Sequence, residues 1–158
     1  MGVEVGKVHG YGSARVLRKP VSGLMGEEEM ALFVDYYELT SGKADFDHGN
    51  RGVITENYFF RKVPMGSYLI VAGLEQVMHF IENIRFTREA LNWLKETSGL
   101  DFSEEFLNYL ENFEFKGDVY AVPEGTPVFP NEPIINVIGP SIDVQIFETY
   151  LLTNMNFQ

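Results

Sequence analysis

Gly117-Asp-Val-Tyr-Ala-Val-Pro-Glu-Gly-Thr-Pro-Val-Phe-Pro-Asn-Glu-Pro-Ile-Ile-Asn-Val-Ile-Gly-Pro140 is the stretch that decides the fold class of this chain. Its short apolar runs alternate with Pro and Gly, which is typical of closely spaced strands joined by turns. The runs predict strands at Val119–Val122, Pro127–Phe129 and Ile134–Ile138. Helical patterns lie on both sides of this stretch along the chain. We therefore expect an α+β fold, a mixed sheet with packed helices, and not a repeating βαβ unit.

The rest of the sequence predicts the helices that pack on this sheet. Apolar residues between Met30 and Tyr37 have the i, i+3, i+4, i+7 spacing of one helix face, and three glutamates precede them. We expect that helix to run from Glu27 to about Ala44. The other predicted elements are a strand at Val53–Val63, a buried strand or a strand feeding a helix at Tyr68–Ala72, helices at Gly73–Ile84, at Thr87–Lys95 and from Ser103 to Phe113, and a last helix at Ile142–Phe157.

Composition excludes several classes of protein. A chain of 158 residues with 45% hydrophobic and 14% aromatic residues is expected to form one domain with a real core. The net charge of -11 argues against a broad surface for nucleic acid or anionic membranes, since both need clustered Lys and Arg. The sequence has no Cys, which excludes disulfides, thiolate zinc sites and a thiol nucleophile. No run of ~18 apolar residues and no secretory signal is visible, so the cytoplasm is the expected compartment.

Four blocks of sequence carry a resemblance to a known family. They are Leu32–Thr40, Tyr58–Lys62, Gly117–Pro140 and Phe147–Gln158. Together they resemble the amino-terminal domain of nicotinate phosphoribosyltransferases, with the blocks in the family's order from about Glu29 onwards. The resemblance implies the α+β amino-terminal domain of a type II phosphoribosyltransferase over residues 27–140. It also implies that the helix at 141–158 leads towards a barrel domain absent from this chain, and it leaves residues 1–26 as a leader of unknown role.

The resemblance further implies an activity. The family joins nicotinate to phosphoribosyl pyrophosphate, giving nicotinate mononucleotide and pyrophosphate on the route to NAD. Mg²⁺, bound with phosphoribosyl pyrophosphate, is the implied cofactor, and the use of ATP is left open. Because the family places its phosphoribosyl chemistry on the barrel, no catalytic residue is assigned here and the chain alone is expected to be inactive. A homodimer, or a second chain that carries the barrel, is the expected partner.

Asp35 and Tyr37 are the residues that the resemblance singles out for substrate binding. The family uses this Asp-x-Tyr pair at a dimer interface, where it reaches the nicotinate pocket of the other subunit. The resemblance thus implies that Tyr37 stacks on the pyridine ring and that Asp35 orients the ring nitrogen side or the ribose. On an uninterrupted helix the two side chains would lie roughly 200° apart, so one pocket receives both only where the helix ends or unwinds. The alternative is a core Tyr37 beside a solvated Asp35.

Other polar residues carry weaker signals. Arg61 is a candidate for binding the pyrophosphate or carboxylate of a substrate, because a guanidinium matches either group with two parallel bonds. Alternation along the predicted strand would place Lys62 on the opposite face, and the competing interpretation is an edge strand protected by charge. His48, with Asp45 and Asp47, is better explained by turn hydrogen bonding than by a metal site, so no metal ligand is assigned.

Two alternatives to the nicotinate enzyme remain at this point. One is a non-catalytic interaction module, or one half of a split enzyme, whose exposed aromatic residues cover a partner chain. The other keeps the reaction and changes the substrate to quinolinate or nicotinamide.

Overall fold

The computed structural model describes residues 9–10, Met30, residues 33–63 and residues 66–157. Apart from residues 9–10, the leader at 1–26 lies outside the described residues. The elements are β1 (His9–Gly10), α1 (Tyr36–Asp47), β2 (Val53–Tyr58), β3 (Leu69–Ile70), α2 (Leu74–Asn83), α3 (Arg88–Thr97), α4 (Glu104–Glu111), β4 (Asp118–Ala121), β5 (Pro127–Val128), β6 (Ile135–Pro140) and α5 (Ser141–Phe157).

The main sheet is mixed. Its strand order is β1-β4-β6-β2, and β6 pairs antiparallel with both β2 and β4, whereas β1 pairs parallel with β4. Asn136 of β6 lies opposite Asn57 of β2 and opposite Tyr120 of β4. Alternate residues of β6 are buried, as a strand with one face on a core requires. A smaller antiparallel pair joins β3 and β5. This architecture, with helices packed on the sheet, confirms the expected α+β class.

Helix α5 lies at the centre of the domain. It follows β6 directly and contacts β2, β6, α1 and α2. Its apolar side chains from Ile142 to Leu151 are almost fully buried, and the ring of Tyr150 stacks on that of Phe80 with centroids 4.0 Å apart. The helix at 141–157 is thus part of the core of this domain, and its connection to a barrel stays a prediction. No helix within the described ranges is both long enough and apolar enough to cross a membrane.

Helix α1 begins later than the apolar pattern predicts. Phe33 and Val34 form a bend in which the Phe33 N–H donates to the Met30 carbonyl, and Asp35 has extended backbone angles (φ −66°, ψ 147°). The predicted helix from Glu27 to Ala44 is therefore wrong at residues 33–35, where the chain bends, and its end is predicted three residues too early. Met30 is helical, and residues 27–29 and 31–32 lie outside the described residues. The apolar spacing continued through the bend because Phe33 and Val34 still pack against the core.

Strand β2 ends at Tyr58, five residues before its predicted end at Val63. The Ile134 N–H donates to the Tyr58 carbonyl, and the regular ladder stops beyond that bond because the partner segment turns at Asn131, which has φ +66°. The Phe60 carbonyl instead accepts from Asn131. Arg61 and Lys62 therefore lie outside any strand, and the prediction that alternation separates them is wrong.

The segment Tyr68–Ala72 contains a short strand that leads into helix α2, which was one of the two structures expected for it. The other expectation, a buried strand over Tyr68–Ala72, is wrong, because the strand spans Leu69–Ile70 alone and both side chains are exposed. Val71 is buried and leads the chain towards α2.

Helix starts and stops follow the local sequence closely. The Thr87 hydroxyl accepts from the Ala90 N–H at the start of α3, and the Ser103 hydroxyl accepts from the Phe106 N–H at the start of α4. Gly99 has φ +70° just after α3, the conformation that glycine supplies at helix ends. Helix α2 differs, because its first two N–H groups, those of Leu74 and Glu75, donate to the carboxylate of Glu124, 2.6 and 3.3 Å away.

Two glycines give a matched test of the packing. Gly139 lies against Gly117, where an added Cβ would come within 2.8 Å of the Gly117 Cα, so we expect Gly139→Ala to destabilise the fold by about 1–3 kcal/mol. Gly42 lies inside α1, and an added Cβ there would meet Ile142 at an ordinary 3.5 Å. Gly42→Ala should therefore stabilise the fold by about 0.5–1 kcal/mol. Urea denaturation of both variants measures the difference, and destabilisation by Gly42→Ala would contradict this view of the α1–α5 contact.

Candidate functional site at the start of helix α1

The start of α1 presents Asp35 and Tyr37 to the outside of this chain. Asp35 is the N-cap residue and is exposed, and Tyr37, in the first turn, has 48% of its surface exposed. The alternative of a core Tyr37 is therefore wrong. Because the helix begins between the two residues, the angle that separates positions i and i+2 inside a helix does not apply to them. Their role in binding a substrate stays a prediction.

The carboxylate of Glu38 connects the start of helix α1 to helix α5 through hydrogen bonds. The Glu38 side chain is fully buried. One carboxylate oxygen accepts the Asp35 backbone N–H at 3.0 Å, and the other accepts the backbone N–H and the hydroxyl of Thr149 in α5, at 2.7 and 2.6 Å. Sequence reasoning missed Glu38, although a glutamate three residues after an N-cap is the signal of a capping box. The distant partner, Thr149, had no such signal.

Carboxylates dominate the electrostatics of the site. Burial raises the pKa of Glu38 to about 7, against the opposing effect of its hydrogen bonds from Thr149 and Asp35, and the charge of Glu148 adds to the rise. Burial, followed by a hydrogen-bonding interaction with Glu148, also raises the pKa of Tyr37. On β2, burial and Glu148 raise the pKa of Glu56. Such a surface favours a positively charged or electron-poor group over an anion.

Arg61 does not join this site within the chain. It is exposed and follows the end of β2 by three residues. The last residue of that strand, Tyr58, donates its hydroxyl to Asn156 of α5, whereas Tyr37 interacts with Glu148 of the same helix. Eight helical residues separate those two positions, which is about 12 Å along the axis. The structure thus brings Asp35, Tyr37 and Glu38 together, whereas Arg61 follows a strand whose last residue contacts the far end of α5.

The histidine turn has an ordinary structural explanation. His48 follows the last residue of α1, and its Nδ1 lies 2.8 Å from the Ala44 carbonyl. The Asp45 carboxylate accepts from the Asn50 side chain at 2.8 Å. Across the part of the chain that the structure describes, no group of three or more histidine and acidic side chains is placed to hold a metal ion.

Comparison with known proteins identifies the family. The sequence-family model of the nicotinate phosphoribosyltransferase (NAPRTase) N-terminal domain matches residues 32–156 of this chain. The chain belongs to the nicotinate phosphoribosyltransferase family. This finding confirms the resemblance carried by the four sequence blocks, and it also includes α5 in the family's amino-terminal domain.

Relatives and a solved structure agree with this assignment. A nicotinate phosphoribosyltransferase of Mycobacterium tuberculosis is 43% identical over 81% of this chain, and one of Dictyostelium discoideum is 34% identical over 88%. The crystal structure of human nicotinic acid phosphoribosyltransferase superposes with a TM-score of 0.71 at 28% identity, covering 78% of this chain and 25% of that one. The chain spans 27% and 23% of the two curated relatives, about a quarter of their length.

The pKa of Glu38 predicts a pH dependence of stability. Because the folded-state pKa, about 7, lies above the ordinary 4.5, the folded chain holds a proton that the unfolded chain releases in this window. Stability should therefore fall as the pH rises from about 4.5 to 7, by about 3 kcal/mol for this group. We expect Glu38→Gln to remove that slope in urea denaturation between pH 5 and 8.

The matched control is Glu96→Gln, which changes an exposed glutamate on α3 and should keep the slope. Glu56 and Asp143, whose pKa values are also raised, are present in all three proteins and cancel from the comparison. An unchanged slope in Glu38→Gln would show that Glu38 titrates normally.

Proposed function

We propose that this chain is the substrate-positioning part of a nicotinate phosphoribosyltransferase. The complete enzyme joins nicotinate to phosphoribosyl pyrophosphate, releases pyrophosphate and so feeds NAD synthesis. Asp35 and Tyr37 extend into a nicotinate pocket that is formed mainly by a barrel on another chain. That chain is either the second subunit of a twofold dimer or a separate barrel-bearing partner. The exposure of both side chains on a braced helix start is the observation that supports this proposal most, because a pair buried in its own core could not reach another subunit.

The acidic character of the site suits the reaction. The lone pair of the pyridine nitrogen forms a bond to the anomeric carbon of the ribose, while the bond from that carbon to pyrophosphate breaks and the leaving group takes the electron pair. Positive charge therefore develops on the pyridine ring. A carboxylate such as that of Asp35, held beside the ring, stabilises this charge more in the transition state than in the ground state. The exposed ring of Tyr37 would hold the pyridine by stacking.

The negative groups of the substrates need cations from other parts of the enzyme. Glu38, Glu56 and Glu148 make the surface near Tyr37 unfavourable for the nicotinate carboxylate. Arg61 remains our candidate cation on this chain, and its place beyond β2 fits contact with a second pocket better than with the pocket of Tyr37. Mg²⁺ would arrive with phosphoribosyl pyrophosphate. The described side chains do not fit a metal site, so we assign it no ligand here, and ATP use stays open.

A second candidate is a non-catalytic interaction module or one half of a split enzyme. It is favoured by the exposed apolar side chains around the β3–β5 pair, namely Tyr68, Leu69, Ile70 and Phe129. Such a patch is typical of a surface that a partner covers. A chain that co-purifies with the native protein, and whether it carries a barrel, distinguishes the two candidates. Quinolinate and nicotinamide are less favoured substrates, because the matched family model and relatives are named for nicotinate.

The isolated chain should show no transferase activity. We expect no nicotinate mononucleotide from the purified 158-residue chain with nicotinate, phosphoribosyl pyrophosphate and Mg²⁺, because the phosphoribosyl chemistry is proposed to lie elsewhere. Chromatography with radiolabelled nicotinate measures the product. A chimaera in which this chain replaces the matching part of the M. tuberculosis relative should be active and is the positive control. Turnover by the isolated chain would refute the proposal that the phosphoribosyl chemistry lies outside it.

In that chimaera, Tyr37→Ala should raise the KM for nicotinate by about 2- to 12-fold, the effect of losing a stacking energy of about 0.5–1.5 kcal/mol. Tyr37→Phe keeps the ring and should stay within about twofold of the parent. The control is Tyr36→Phe, which changes the neighbouring exposed tyrosine of α1. Steady-state kinetics with each substrate varied in turn measures the effect. An unchanged KM in Tyr37→Ala would contradict the stacking role.

A further inference from the structure

We propose that Glu38 is a positioning residue for nicotinate binding, whose buried carboxylate sets the orientation of Asp35 and Tyr37 by tying the start of α1 to Thr149 of α5. This inference rests on the proposed function of the Asp35–Tyr37 pair. It adds a residue that touches no substrate and acts through the two that do.

The geometry of the carboxylate supports a role beyond packing. Both oxygens of Glu38 are used, one for Asp35 on its own helix and one for the two donors of Thr149 on another helix. A buried carboxylate is costly, and an apolar side chain of similar size would fill the same space at lower cost. What an apolar side chain could not do is accept hydrogen bonds from two elements at once and so fix one relative to the other.

The same turn of α5 also holds the partner of Tyr37. Glu148 precedes Thr149, and its carboxylate interacts with the Tyr37 hydroxyl. The Glu38 bridge therefore reaches α5 in the same helical turn as the residue that Tyr37 contacts. A shift of α1 along α5 would displace the side chains of Asp35 and Tyr37 together. The Glu38 bridge opposes such a shift, because its hydrogen bonds form in only one alignment of the two helices.

The charged groups around the bridge make it sensitive to protonation. Asp35 and Tyr37 of α1 and Glu148 of α5 lie near Glu38, and Glu56 of β2 interacts with Glu148. Among the described groups that perturb Glu38 none is positively charged, and the favourable contacts of the carboxylate are its hydrogen bonds from Thr149 and Asp35. When Glu38 gains a proton, one oxygen becomes an O–H donor and a weaker acceptor, although all three of its partners in the bridge are donors. The bridge should therefore loosen as the pH falls below about 7.

Glu38→Gln is the sharpest variant for a test. The amide oxygen can still accept both bonds from Thr149, but the amide nitrogen then faces the Asp35 N–H, donor against donor. In the active chimaera we expect this variant to raise the KM for nicotinate about tenfold, with kcat and the KM for phosphoribosyl pyrophosphate within about twofold. The nicotinate KM of the parent should rise as the pH falls from 8 to 6, and that of Glu38→Gln should not. Glu96→Gln, on α3, is the matched control and should behave as the parent.

A second variant and a second measurement guard against misfolding. Thr149→Val keeps the shape of the side chain and removes one of the three donors, so it should raise the nicotinate KM about two- to fourfold. Amide hydrogen exchange in the 158-residue chain, followed by NMR, should show exchange at Asp35 at least about tenfold faster in Glu38→Gln than in Glu96→Gln, since a lost hydrogen bond no longer protects that N–H.

The outcomes separate this inference from the proposed function. A merely structural Glu38 would reduce the active fraction, which lowers kcat without changing the nicotinate KM, and that result would overturn the inference. So would an unchanged nicotinate KM in both variants while Tyr37→Ala and Asp35→Ala still raise it. If Tyr37→Ala and Asp35→Ala have no effect on nicotinate, the proposed function fails first. Should Glu38→Gln not fold, the KM ratio of Thr149→Val decides.

Discussion

A carboxylate taken out of water must find hydrogen-bond donors, and the position of Glu38 in this fold depends on that constraint. Its donors come from Asp35 at the start of α1 and from Thr149 in the middle of α5. Helix α5 is itself held between the sheet and helices α1 and α2, with its apolar residues from Ile142 to Leu151 almost fully buried. The exposed end of α1 is therefore hydrogen-bonded to a helix that is buried in the core of the domain. Because the backbone at Asp35 and Tyr37 is held in this way, these exposed side chains should lose little conformational freedom when they bind a ligand.

Local signals in the sequence predicted much of the fold. The caps at Thr87 and Ser103 were predictable because each acceptor lies three residues from its donor. Two boundaries failed for reasons that are not local. The start of α1 was placed too early because Phe33 and Val34 pack on the core from a bend and so imitate a helix face. The end of β2 coincides with the turn at Asn131, whose N–H donates to the Phe60 carbonyl from 71 positions further along the chain.

The candidate site was only partly accessible from the sequence. Family resemblance selected Asp35 and Tyr37, but their exposure depends on where α1 begins, which periodicity alone placed wrongly. Glu38 carried a recognisable spacing from Asp35, yet its burial comes from packing against α5, and its second partner is 111 residues away. Arg61 was selected for its chemistry within a strand that ends before reaching it. Pairings between distant elements were thus the missing information in each case.

The carboxylate of Glu124 has a consequence for the order of assembly. Helix α2 starts at a glycine, which offers no side chain of its own, and its first two N–H groups are satisfied by a residue about fifty positions further along the chain. During synthesis, α2 leaves the ribosome well before the turn that completes it. Its first turn should therefore remain frayed until β4 and β5 have docked, so the maturation of this early helix is coupled to a late hairpin-like turn.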